Sequence, residues 1–215
     1  MNIGEKSFFG VGGVAEILFI PHNMEDLFFF LKKLPKDTSV TILGAMSNVL
    51  IRSGGISGVV IILGDGFEKI FVEEDILEVG AAVHCGKLSA AALNHELGGF
   101  EFLMGIPGTI GGAIKMNAGC YGSRISDLLV ECEGITFSGQ IKWLKSTDVS
   151  FGYRASSIPE DLIITRAWFR GISNVNYSIP KKINEIATKR KTVNRISGDH
   201  AGLHLKIPQV KRHGN

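Results

Sequence analysis

The stretch Gly105–Gly122, GIPGTIGGAIKMNAGCYG, holds six glycines and one proline and contains no acidic residue. It is too apolar for a linker and lacks the 3.6-residue apolar spacing of an ordinary helix. Glycine permits positive φ and lets a ligand reach the main chain without meeting a Cβ. Clustered glycines can therefore aim several N–H donors at one anion, and a segment without acidic side chains suits a pyrophosphate. An isolated Gly-Gly reads as a bulge or a tight turn. Six glycines interleaved with Thr109 and Asn117 exceed what one turn needs. Neither GxxxxGK[ST] nor a strand-to-helix GxGxxG is present, which argues against Walker and Rossmann arrangements.

Upstream lies a second loop of small and hydroxyl or amide residues, Gly44-Ala45-Met46-Ser47-Asn48, at the end of the apolar run Val40–Leu43. Two such loops could clamp one dinucleotide from two lobes. Before it, AEILFI (Ala15–Ile20) reads as a strand stopped by Pro21. Asn23 then caps a Leu/Phe-rich helix that Pro35 closes. VLIRSGGISGVVIIL (Val49–Leu63) reads as two β pieces separated by Gly54-Gly55. The first lobe is thus expected to be βαβ-like.

Further on, Phe67–Val72 and Ile76–Val83 read as a hairpin about Glu73-Glu74-Asp75, followed by a helix over Gly86–Leu97 stopped by Gly98-Gly99. Leu128–Phe137 and Gln140–Leu144 turn about Ser138-Gly139, and Asp161–Arg170 alternates as a last strand. Lys181–Thr192 (KKINEIATKRKT) reads as a basic helix. The expected divisions are a first lobe over 1–63, a second over 64–171, the start of a further lobe over 172–192, and an aberrant tail over 193–215.

With 215 residues, 45% of them hydrophobic, the chain can bury a proper core. Its 23 basic and 21 acidic residues leave a net charge of +2. That is too weak a field to argue for nucleic acid or an anionic membrane, and a small-molecule partner is expected. Three cysteines, Cys85, Cys120 and Cys132, form no CxxC or Cys/His ligand spacing. This disfavours a disulfide framework and a zinc site and fits a reducing cytoplasm. No run approaches the roughly 20 apolar residues of a membrane span, and no metal is expected.

The series FFGVGG (Phe8–Gly13), the Gly44–Asn48 loop, GVVI (Gly58–Ile61), EFLMGIPGTIGGAIKMNAGCYG (Glu101–Gly122) and FGYR (Phe151–Arg154) resembles the MurB family of peptidoglycan synthesis, the UDP-N-acetylenolpyruvoylglucosamine reductases. The resemblance runs from about Phe8 to Thr192. It implies an α+β, two-lobed FAD-binding fold of the PCMH/vanillyl-alcohol-oxidase type, with a third lobe for the sugar nucleotide. NADPH would reduce the flavin, which passes a hydride to the enolpyruvyl double bond while a serine protonates the other carbon, giving UDP-N-acetylmuramate. The partner implied is a UDP-sugar enolpyruvyl ether, and the protein is expected to be a monomer.

Carried over residue by residue, the cofactor would be held by Gly44, Ala45, Met46, Ser47 and Asn48 from the first lobe. From the second lobe it would be held by Gly105, Pro107, Gly108, Thr109, Ile110, Gly111, Gly112, Asn117, Gly119 and Tyr121. Arg154 of the GYR motif would bind the enolpyruvyl carboxylate and stabilise the growing negative charge. Met46 departs from a usual glycine and brings a side chain into a loop that the pyrophosphate would approach closely. Two other readings stay open on the residues: another FAD oxidoreductase of the same fold, and a non-catalytic FAD-binding remnant.

After the basic helix the family continues with a segment of the type GGSTFKNP, which holds the proton-donor serine. Here the chain reads NRISGDHAGLHLKIPQVKRHGN, with His200, His204 and His213. Back-translating Gly202–Asn215 with permitted codons and reading from the third base yields STFKNPPGKKAWE, the expected motif. A frameshift between about Val193 and Gly202 is therefore expected, leaving most of the substrate lobe missing and catalysis impaired. The same explanation displaces a metal-site reading of the three histidines.

Overall fold

A computed structural model describes residues 2–173 of the chain. The expected basic helix Lys181–Thr192 and the tail over 193–215 lie outside the described residues.

The first sheet is built from β1 (Ala15–Phe19), β2 (Val40–Leu43) and β3 (Ile56–Ile62), in the order β1-β3-β2 with both pairings parallel. Parallel strands need a crossover, and α1 (Met24–Lys33) supplies it. Asn23 caps this helix as its sequence requires, its side chain accepting from the Asp26 N–H at 2.9 Å. Leu27 and Leu31 on the inner face are buried against Val59 and Ile61, each worth about 1.5–3 kcal/mol. The same cluster takes in Ile135 and Ile163, so α1 also seals the first sheet to the second.

Only one of the two β pieces expected in Val49–Leu63 forms. Val49–Arg52 is irregular because its backbone serves the N-terminal segment: the Arg52 carbonyl accepts from Gly13 at 2.9 Å and closes a turn with Gly55 at 2.9 Å.

The second sheet is antiparallel throughout. Its hairpin β4 (Ile70–Glu73) and β5 (Ile76–Gly80) begins later than expected, because Asp65–Phe67 is a 3-10 turn that buries Phe67. Helix α2 (Cys85–Asn94) follows. It ends before Gly98-Gly99: Glu96 takes the left-handed conformation (φ 57), and the Leu97 N–H closes on the Ala92 carbonyl at 2.9 Å. This is the αL stop that glycine usually provides.

The glycine-rich stretch is more ordered than an open loop. A 3-10 turn over Glu101–Gly105 leads to the short helix α3 (Ile110–Lys115), then to the hairpin β6 (Gly119–Cys120) and β7 (Ser123–Arg124). After it come β8 (Leu129–Thr136), β9 (Ile141–Lys145), the two-residue hairpin β10 (Phe151–Gly152) and β11 (Ala155–Ser156), and β12 (Leu162–Arg170). The sheet order is β4-β5-β12-β8-β9. Its inner face, with Leu77, Val79, Cys132, Ala167 and Phe169, packs against Leu88 and Ala92 of α2 and Ile110 and Ile114 of α3. Ile110 and Ile114 are fully buried, so α3 is anchored by its apolar face and holds the loop before it in place.

Candidate active site

The two small-residue loops, 60 to 65 residues apart in sequence where they touch, meet in space. Ser47 Oγ donates to the Pro107 carbonyl at 2.5 Å. A Cβ on Gly44 would overlap Thr109 Oγ1, and one on Gly108 would stand 3.1 Å from Ser47 Oγ. Gly108 has φ +144, a conformation close to exclusive to glycine. The first loop leaves the C-terminal end of a parallel strand, β2, the side on which α/β sheets bind ligands.

The donors this site can offer are fewer than the glycine count suggests. His84 and Thr109 form an isolated antiparallel bridge. Its bonds are the flanking ones, from Cys85 N–H to the Gly108 carbonyl and from Ile110 N–H to the Val83 carbonyl, each 2.9 Å. The N–H groups of His84 and Thr109 therefore point away from each other. Gly111 N–H goes to the Ala81 carbonyl at 2.9 Å. Ile110 and Gly111, expected to donate to the pyrophosphate, thus spend their N–H groups on docking α3 to the strand end. Gly111 is glycine because a Cβ there would press on Ala81 at 3.1 Å.

Three further expected contacts have structural work of their own. Gly119 pairs with Arg124, and a Cβ on it would run into the Ser123 carbonyl. Tyr121 and Gly122 have φ 56 and 87, the two positive values of a type I′ turn joining β6 to β7. Asn117, buried and itself at φ 42, donates from Nδ2 to the Gly152 carbonyl at 3.1 Å and accepts from Ser126 N–H at 3.3 Å.

Met46 also differs from its expected place. It is only 8% exposed and packs in a cluster with Ile3, Leu43, Ile51 and Val60. Its side chain points under the loop rather than into the ligand's path. What favours glycine at this position is the backbone, at φ 52.

Arg154 is the second residue of the two-residue turn between β10 and β11, at φ 55, and is half-buried. Among the described residues no carboxylate lies within ion-pair distance of it. Sequence reasoning missed Lys115 and Ser156, which tie this turn to α3. The available signal was that Lys115 is the one charged residue in Gly105–Gly122. Among the described residues no group of three or more His, Cys, Asp or Glu could hold a metal ion. No described helix is long and apolar enough to cross a membrane.

Residues 15–145 match the FAD binding domain family. The chain is 41% identical over 209 residues to the UDP-N-acetylenolpyruvoylglucosamine reductase of Rickettsia canadensis, covering 97% of this chain and 70% of that protein. The chain belongs to the UDP-N-acetylenolpyruvoylglucosamine reductase family. A second reductase, from Beijerinckia indica, is also 41% identical, over 94% of this chain and 65% of its own length. The chain therefore spans about two thirds of the length of these reductases. The crystal structure of the family's Thermus caldophilus member superposes with a TM-score of 0.78 at 29% identity, covering 89% of this chain and 68% of that one. Glucooligosaccharide oxidase from Acremonium strictum, at 13% identity and a TM-score of 0.53 over 74% of this chain and 35% of its own, shares the fold alone. The α+β FAD-binding fold expected from the sequence is the fold found.

Proposed function

We propose that the loops Gly44–Asn48 and Gly105–Thr109 hold the pyrophosphate of FAD. We further propose that the chain serves the reduction of UDP-N-acetylglucosamine enolpyruvate by NADPH to UDP-N-acetylmuramate. The observation that carries this reading is the meeting of the two loops at Ser47 and Pro107. The residues present fit the cofactor. Gly44 and Gly108 leave main chain bare where a Cβ would intrude, and the Thr109 N–H points out of its bridge. Asn48 Oδ1 is buried with no hydrogen-bond partner among the described residues. A buried acceptor left so costs about 1–3 kcal/mol, which a hydroxyl or ring N–H of the cofactor would recover.

When bound, FAD supplies hydride transfer that amino-acid side chains cannot. Arg154 presents a planar, permanently charged fork that pairs with the enolpyruvyl carboxylate and opposes the negative charge growing beside it. The family's serine motif does not occur among the described residues, so none of them is assigned the second proton. The lobes proposed are 1–63 and 64–171, each contributing one loop, in a monomeric cytoplasmic protein whose partner is the UDP-sugar.

The test is a flavin titration followed by anaerobic NADPH and then enolpyruvyl substrate, on the wild-type chain and Arg154→Ala. One FAD per chain, released intact by acid and bleached by NADPH, is expected. Arg154→Ala should bind FAD as tightly yet reoxidise with substrate about 100-fold more slowly. Lack of flavin uptake would overturn the reading, and a flavin retained through acid denaturation would favour the other reading, an FAD oxidoreductase of the same fold that binds its flavin covalently. Absence of reoxidation even in the wild-type chain is what an out-of-frame tail predicts, and substrate affinity then reports on Arg154.

A further inference from the structure

The glycine-rich stretch and the arginine turn are fastened together by three side chains, Lys115, Asn117 and Ser156, of which only Asn117 is among the residues expected to hold the cofactor. Lys115, on the last turn of α3, sends Nζ to the carbonyls of Ile158 at 2.6 Å and Pro159 at 3.1 Å. Ser156 returns the contact, its Oγ donating to the Lys115 carbonyl at 2.8 Å. On the other side of the turn, Asn117 holds the Gly152 carbonyl. The chain is thus gripped immediately before and shortly after Tyr153-Arg154.

The turn cannot hold itself. Its ladder is two residue pairs long, and hairpins need packing from outside to persist. Tyr153 is 84% exposed and contributes no such packing. Ser150 and Ser157 close the hairpin lower down, but they fasten it to itself and not to the loop. Partial burial lowers the Lys115 pKa, opposed by the fields of Glu160 and Asp161. A lysine that served only solubility would reach for water. This one is turned inward onto two main-chain carbonyls.

We propose that Lys115, with Ser156 and Asn117, is a positioning residue that sets Arg154 relative to the Gly105–Thr109 loop, making the cofactor loop and the carboxylate anchor one rigid unit. The functional meaning of that unit rests on the FAD reading above, whereas the brace itself can be measured in protein without cofactor.

The experiment is amide hydrogen exchange of the cofactor-free chain, comparing the peptide over 150–158 with peptides from β8 and β12, for wild type, Lys115→Met, Lys115→Arg and Ser156→Ala. In Lys115→Met the 150–158 peptide should exchange about tenfold faster while β8 and β12 hold. Lys115→Arg, which keeps charged donors, should return it to within about twofold of wild type. Unchanged exchange over 150–158 would overturn the proposal, as would a uniform rise across all peptides or a failure of arginine to rescue. Should Lys115→Met not fold, Ser156→Ala removes one bond of the same brace and is read by the same comparison. An FAD titration of the same samples separates the two ideas. Failure of the wild type to bind would overturn the cofactor reading alone, because the exchange result stands without it.

Discussion

Met46 shows a side chain and a backbone asking for different residues. Its φ of 52 disfavours any side chain by about 1–2 kcal/mol. Its buried thioether stem is worth about 1.5–3 kcal/mol, and burial wins. Met46→Gly should therefore destabilise by about 1–2 kcal/mol, a fall of a few degrees in melting temperature for a chain of this size. Met46→Ala, which loses the packing and keeps the strain, should be less stable than Met46→Gly by about 1 kcal/mol. Thermal melts of the two variants check the order, and the usual order, alanine above glycine, would refute the strain. FAD affinity should shift by less than about threefold in Met46→Gly, since the side chain faces the core.

Between elements, the contacts that matter are few and local. Ser47 is the direct latch between the two loops. Ser47→Ala should leave the melting temperature within about 2 °C of wild type and weaken FAD by about 3- to 10-fold, the value of one hydrogen bond; fluorescence titration measures it. On the outer face of the second sheet, Arg166 forks onto Glu133 at 3.0 Å through Nε and Nη2, reaches Glu78 at 3.0 Å, and lies over Trp143 and Trp168. These bonds, Glu133 first, raise the arginine pKa. Glu133 is buried and Arg166 partly exposed, so losing the arginine strands a carboxylate with only partial access to water. Arg166→Met should cost about 2–3 kcal/mol, below the fully buried case because solvent screens the pair. The double variant Arg166→Met with Glu133→Leu should recover most of that. A double variant no more stable than the single would assign the loss to cation–π packing instead.

Over the whole molecule, Cys85 and Cys132 lie in the single core beneath the second sheet. Burial pushes their thiols up from 9.0, Cys85 to about 12 and Cys132 to about 11, with the Glu131 charge adding to the latter. The folded state thus prefers the neutral thiol. Above the ordinary thiol pKa the unfolded chain binds fewer protons than the native one, so stability falls as pH rises from about 9 to about 12. Urea midpoints at pH 7, 9 and 10 should decline, and the Cys85→Ala/Cys132→Ala chain should decline less steeply. Equal slopes would show that other groups carry the alkaline limb.

The sequence by itself determined the strands and helices wherever period and punctuation agreed. Asn23 and Pro35 bound α1, Ser138-Gly139 set the β8–β9 turn, and the two small-residue loops stood out as ligand candidates. Local sequence settles these because caps, turns and alternation act within a few residues. It also marked Arg154 through its motif. Only the tertiary structure decided which glycines are free to face a ligand. Gly111 serves the close approach of α3 to Ala81 and Gly119 the pairing with Arg124, whereas Gly44 and Gly108 line the junction of the loops. It likewise decided that Glu96 would take the left-handed stop of α2 and that Met46 would turn inward. Lys115 became a brace only when Ile158 and Pro159 arrived beside it. Each of these depends on a neighbour dozens of residues away or on the packing of a whole turn, and a backbone amide has no partner until the fold supplies one.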